Sequence, residues 1–164
     1  MLVGSNYSVF IVEQRTADNS NNYIIAGSGA STNHNLTLGY TSYYQARQSH
    51  YSHGWSCYVP HFSASQGASR IHSFMFSSTN FYPKSGGTYL GQSYFMDGGV
   101  TAGCSHEPMN IAVKSFEGAS IGKFISNYYQ GYVSEIIIFN RYLGEDERKT
   151  VEEYLGKKYG INVN

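Results

Sequence analysis

The chain has 164 residues, a formal net charge of zero, 16 tyrosines and only 13% charged residues. That length predicts one domain, residues 1–164, able to bury about 70% of its unfolded surface without a metal or disulfide to hold it. No Lys/Arg run exceeds two residues, which argues against a phosphate-tracking groove and so against nucleic acid. No apolar run approaches the ~18–20 residues of a membrane span, so no membrane insertion is expected.

The first residues carry neither the basic nor the apolar region of a signal peptide. The chain therefore reads as a mature or excised piece, or as one that travels without the secretory route. Tyrosine, glycine, serine and asparagine stand where charge would be. That mix belongs to β-rich proteins with polar loops, and to surfaces that bind through aromatic faces and neutral hydrogen bonds.

In chain order, residues 7–15 predict a strand. Its centre, Val9-Phe10-Ile11-Val12, is apolar at every position, which suits a strand covered on both faces. Asp18-Asn19-Ser20-Asn21-Asn22 is a turn signal. Residues 23–27 read as a short strand, and 35–40 as an alternating one with Leu36, Leu38 and Tyr40 on one face. Residues 43–48 alternate weakly, and 47–62 read as irregular and rich in aromatics and histidine.

Residues 70–77 predict a strand. Pro83 and Gly86-Gly87 place a hairpin within 81–90, with one strand after the turn. Residues 92–108 read as a loop, 111–114 and 120–124 as short strands, and 131–143 as a strand buried on both faces. Glu145-Asp146-Glu147, Lys157-Lys158 and Gly160 frame a helix over 145–159, with acids first, bases last and glycine after the end. Its apolar stripe is Val151, Tyr154, Leu155 and Tyr159, narrow enough that the helix should dock outside the main body. Many short strands with turns between them predict an antiparallel sandwich.

The run GYVSEIIIFNR (131–141) is followed by Leu143, then Glu147-Arg148, Glu153-Tyr154-Leu155 and Lys158-Tyr159-Gly160-Ile161. Together these resemble the end of a laminin-G-like module of the concanavalin A-like lectin/glucanase superfamily. Residues 7–13, 24–27, 70–77 and 120–122 resemble earlier strands of that family in the same order. Gly86-Gly87 stands where the family has Asn-Gly. The family places a further strand or two before residue 7, so the resemblance suggests a shortened piece. The fold it implies is all-β: a jelly-roll sandwich of two antiparallel sheets with one C-terminal α-helix.

Retaining glycoside hydrolysis needs two carboxylates about 5 Å apart. The superfamily's glucanases carry them as E-x-D-x-E on one strand, and no such strand occurs here, so no enzyme activity is expected. No nucleophile elbow or phosphate-binding glycine motif appears either. Laminin-G modules often hold Ca²⁺, and Asp18 and Asp97 are the loop aspartates that could ligate it; no other cofactor is expected. His50, His53 and His61 lack the grouping of a zinc site. Cys57 and Cys104 either pair or remain reduced.

What remains is an aromatic, amide-rich loop surface suited to sugars, which present apolar faces ringed by hydroxyls. The candidate contacts are Tyr44, Arg47, His50, Tyr51, His53, Trp55, Tyr58, Tyr94 and Tyr128. The sequence therefore predicts a non-catalytic carbohydrate-binding or adhesion module of a larger protein, extracellular or on a virion surface, with a glycan or glycoprotein as partner. A structural or host-attachment module of a virion or fibre, a homo-oligomer that binds no sugar, is the alternative.

Overall fold

The computed structural model describes residues 2, 6–17, 22–27, 36–42, 45–50, 56–58, 67–84, 87–100 and 118–164. Of these, 41–50, 56–58, 79–90 and 100 are described by backbone alone. The strands are β1 (Tyr7–Arg15), β2 (Asn22–Ala26), β3 (Leu36–Ser42), β4 (Gln45–His50), β5 (Ser56–Tyr58) and β6 (Ser69–Lys84). There follow β7 (Gly87–Met96), β8 (Gly99–Val100), β9 (Ser120–Ile121), β10 (Lys123–Phe124), β11 (Asn127–Tyr128) and β12 (Gly131–Phe139). The helix is α1 (Glu145–Tyr159).

Two five-stranded sheets form, in the orders β12-β1-β6-β7-β8 and β5-β4-β3-β2-β9, with β10 and β11 as a separate ribbon. All the strand pairs described are antiparallel. The expected all-β sandwich with one terminal helix is the fold observed.

Uninterrupted apolar sequence on β1 has a direct cause. Val9 and Ile11 enter the core between the sheets with Leu36, Leu38, Phe74 and Tyr94. Phe10 and Val12 enter a second core on the far face with Ile71, Phe95 and Leu155. β12 divides the same way, Ile136 and Ile138 against the first core and Ile137 and Phe139 against the second. These four are only half-buried, because β12 is the edge strand of its sheet rather than an interior one.

Three sequence-based boundaries shift. Residues 92–96, read as loop, belong to β7, where Tyr94 faces one core and Phe95 the other. A strand covered on both faces has no period-2 signal, and the nearby glycines mimic a loop. β6 runs through to Lys84 with one irregularity between Ser77 and Phe81, and Lys84 pairs with Gly87 across the expected hairpin. Within the irregular 47–62 stretch, β4 extends to His50 and β5 follows. Residues 111–114 lie outside the described residues.

The helix begins and ends as its charges predict. Glu147 accepts from the Gly144 N–H at 3.1 Å and pairs bidentately with Arg141 at 2.7 and 2.8 Å. Arg141 and then that N–H draw the exposed Glu147 carboxyl down to about 2. Gly160 closes the helix at φ +68.

Its docking face keeps Val151, Leu155 and Tyr159 of the expected stripe against the second core, and departs from it at Tyr154. Tyr154 is 52% exposed, while Arg148 and Glu152 are buried beside Leu155. Arg148 lies 3.8 Å over the Phe95 ring and pairs with Glu152, which accepts from Ser73 Oγ at 2.6 Å. A charged pair satisfied this completely can be buried, and hydropathy periodicity does not reveal it.

A second polar cluster lies between the sheets. Glu13 Oε1 accepts from Tyr40 Oη on β3 at 2.6 Å and from His72 Nε2 on β6 at 2.8 Å. Tyr129, after β11, donates its hydroxyl to Oε2. His72 Nδ1 lies 2.7 Å from Tyr94 Oη on β7. The buried Arg15 places its guanidinium 4.2 Å from the centre of the Tyr40 ring. Burial pushes the Glu13 carboxyl up, but the hydrogen bond and attraction from His72, with the Tyr129 and Tyr40 hydroxyls, outweigh it. The carboxyl is held below its ordinary 4.5.

A lowered carboxyl contributes stability that is present above its unfolded pKa and lost as pH falls through the folded value. The thermal midpoint should therefore hold steady down to about pH 4.5 and decline below it. Glu13→Gln should destabilise by about 1–3 kcal/mol at neutral pH and shrink that acid decline. An undiminished acid decline in the variant would remove Glu13 as its source. At the helix, Leu155→Ala should cost about 2–5 kcal/mol in denaturant titration, and Tyr154→Ala within about 0.5 kcal/mol. Equal costs would refute the docking face described.

Candidate functional site

The ribbon β10–β11 is built from Gly122 outward. Gly122, at φ +74, breaks the predicted 120–124 strand into β9, which pairs with β2, and β10, which folds back on β11. Its N–H donates to Ile24 O at 2.8 Å, and its carbonyl accepts from Tyr129 N at 2.8 Å. Phe124 is the plug that holds the ribbon down, 8% exposed and edge-on to Tyr23 of β2 at 4.8 Å.

Lys123 and Tyr128 are direct cross-strand partners, with the ammonium 5.6 Å from the ring centre. Lys123 is exposed and Tyr128 is 63% exposed. At the tip, Ile125 takes φ +55 and is 58% exposed. A β-branched residue in the left-handed region costs about 1–2 kcal/mol.

The next residue, Tyr129, anchors the ribbon to the Glu13 cluster. Burial, and then the Glu13 charge, push its hydroxyl well above the ordinary tyrosine value, so it stays a donor. Gly131 makes room for it; a Cβ there would meet Tyr129 Oη at 2.7 Å. Gln130 N donates to Asn22 Oδ1 at 2.7 Å, and Thr16 N to Gln130 O at 3.0 Å.

From the ribbon a register row crosses the second sheet. Tyr23, under Phe124, stands opposite Gly39; Gly39 stands opposite Arg47; and Arg47 stands opposite Tyr58. Leu38 and Tyr40, on either side of Gly39, face the inner core, so Gly39 lies on the opposite face, where it and Thr37 are buried. A Cβ at Gly39 (φ +142) would also lie 2.7 Å from Ile24 N.

The predicted contacts thus separate. Arg47 and Tyr58 come together as direct strand partners, and His50 stands opposite Leu36 on the same strand. Tyr128 lies on the ribbon. Tyr94 departs from expectation: it is 2% exposed, stacked on Phe74 at 4.7 Å, and is a core residue of β7 rather than a loop platform. Tyr44, Tyr51, His53 and Trp55 lie outside the described residues.

Asp97 sits at φ +48 in the β7–β8 turn, with Oδ2 2.6 Å from Arg70 Nη1 and Oδ1 2.8 Å from Ile71 N. Both oxygens face donors and the charge is matched, so this carboxylate offers little to Ca²⁺. Asp18 lies outside the described residues, as does Cys104, while Cys57 is in β5. Among the described residues, no three His, Cys, Asp or Glu side chains gather as a metal site. Glu13, buried between the sheets, is spent on its three donors. The sequence signals for Glu13, His72 and Tyr129 are absent, since residues 59 and 116 positions apart meet only through the fold.

No protein-family model matches the chain, and no curated protein matches it in sequence. Solved structures share its fold. The carbohydrate-binding module CBM40 of the Ruminococcus gnavus IT-sialidase, solved with α2,3-sialyllactose, superposes with a TM-score of 0.65 at 14% identity, covering 92% of this chain and 84% of that one. Domain 4 of AbnA, an extracellular GH43 arabinanase of Geobacillus stearothermophilus solved with arabinotriose, gives 0.60 at 13%, covering 93% and 68%. The NanB sialidase of Streptococcus pneumoniae gives 0.61 at 13%, covering 91% of this chain but only 24% of that enzyme. The chain is similar in fold to these jelly-roll domains, and matches about a quarter of the length of the whole sialidase.

Proposed function

We propose that the chain is a non-catalytic carbohydrate-binding module, laminin-G-like in type, acting outside the cell as part of a larger protein. The observation that carries this reading is the Tyr128 ring: exposed, on a ribbon that is plugged, capped and hydrogen-bonded into the body. A fixed aromatic face receives the apolar face of a sugar at little entropic cost. Arg47 of β4 and Tyr58 of β5, direct strand partners, are further candidate contacts. The likeness of fold to modules solved with sialyllactose and arabinotriose supports a glycan as ligand. The absence of an E-x-D-x-E strand and the commitment of Glu13 to internal donors support binding without hydrolysis.

One observation favours the self-association reading. Ile121, Ile125, Tyr128 and Tyr132 are large, exposed and close in sequence. Light scattering separates the two, since a sugar-binding module needs no stable oligomer.

A glycan array should return a defined set of ligands. Tyr128→Ala should weaken binding to the best of them roughly tenfold, with an unchanged circular dichroism spectrum. An empty array together with a concentration-independent oligomer would overturn the glycan reading in favour of the fibre one.

A further inference from the structure

Among the described residues the two sheets end in four edge strands, and three of these are short. β8 and β9 have two residues each, and β5 has three. The fourth, β12, has nine, GYVSEIIIF. Shortness, lysine and proline are the usual guards against an edge pairing with another chain. β12 has none of them. Its single charge, Glu135, is turned back onto the helix by Lys158, 3.0 Å away. Among the described residues, β12 has one strand neighbour, β1. The register shift at Val12/Glu13 leaves Ser134 with no residue opposite it on β1, a bulge that bends the first half of the strand. The second half, Ile136-Ile137-Ile138-Phe139, pairs with β1 in unbroken register and is only half-buried.

Charge brackets this half-strand. Glu135 precedes it and pairs with Lys158 of α1; Arg141 follows it and pairs with Glu147 of α1. Both therefore lie on the helix side of the sheet. A copy of the strand laid antiparallel about Ile138 sets Ile137 against the partner's Phe139, and Glu135 against the partner's Arg141. The twofold axis repeats each contact. The chain has no net charge, so no long-range repulsion holds two copies apart.

We infer that β12 is the interface of a reversible dimer, in which residues 135–139 of two copies pair antiparallel and join their first sheets into one. The alternation of acid, apolar run and base favours a second copy over an unrelated strand, because the strand is complementary to its own reverse. A single strand edge is smaller than a standard stable interface, so the dimer forms only as concentration rises. Tyr128 lies on the ribbon, outside the paired segment, and each copy keeps its exposed ring. The inference goes beyond the glycan reading and does not rest on it. Where both hold, the dimer presents two rings and raises avidity.

The experiment is sedimentation equilibrium of the whole chain from about 1 µM to about 1 mM, with hydrogen–deuterium exchange at both extremes. The mass should rise from monomer to dimer, and amides within 135–139 should exchange at least about threefold more slowly at the higher concentration. Glu135→Lys and Arg141→Glu chains, their folding checked by circular dichroism, should each dimerise about tenfold more weakly, because each sets like charges opposite one another. Mixed in equal amounts, the two should regain the dimerisation of the unsubstituted chain, since the mixed pair brings opposite charges together at both contacts. A monomer throughout the range, protection confined to another part of the chain, or a mixture no stronger than its components would each overturn the inference. Sugar binding is read separately by the glycan array, so failure here leaves the glycan reading standing.

Discussion

Four otherwise separate parts of the molecule meet at one carboxylate. Glu13 belongs to β1, yet it collects hydrogens from β3, from β6 and from the segment that follows the ribbon. A buried carboxylate is costly unless its lone pairs are filled, and here three donors fill them. The arrangement fixes how the two sheets sit on one another, because Tyr40 and His72 come from opposite sheets. It also fixes the ribbon, because Tyr129 adjoins Tyr128. The only candidate contact whose exposure is established therefore depends on a polar cluster deep in the core.

The first sheet carries a second requirement. With Val9 and Ile11 on one side and Phe10 and Val12 on the other, it cannot leave either face in water. The second sheet covers one face, and α1 with its flanking segment covers the other. Ser8 Oγ holds that flank in place, accepting from Leu143 N at 2.9 Å and donating to Arg141 O at 3.0 Å. The helix reaches the sheet through Arg148 and Glu152 as well as Leu155, so its contact combines charge, ring and aliphatic carbon. Helix propensity and end charges set its limits; shape and hydrogen bonding set its orientation.

Local chemistry explains what the sequence made legible. β1, β12 and the helix ends follow from runs, caps and dipoles that a few adjacent residues encode. Tyr94 was misplaced because a two-sided strand next to Gly91 and Gly98 has the composition of a loop. The docking stripe was legible at Val151, Leu155 and Tyr159, whereas Arg148 and Glu152 were not, because they are polar by type and buried by partnership. The Glu13 cluster was invisible because none of its members is near another in sequence. Of the site, Tyr128 and the Arg47–Tyr58 pair were legible as residue types. Their relation to the ribbon was not, since it depends on strand register and on the break at Gly122.

The ribbon tip shows what this anchorage permits. Asparagine or glycine at position 125 would adopt φ +55 with less strain than isoleucine does. Such strain persists only where the surroundings over-determine the backbone. Here the Phe124 plug, the Gly122 hydrogen bonds and the Tyr129 hydroxyl together do so. A two-residue turn held this firmly cannot relax, and it fixes the rung behind it, where Lys123 faces Tyr128. On the proposed glycan-binding reading, ligand contact would need no ordering of the ribbon, and affinity would not be spent on immobilising it. The rigidity supplied by the core is thus what would let a small, exposed, nearly uncharged face discriminate among sugars.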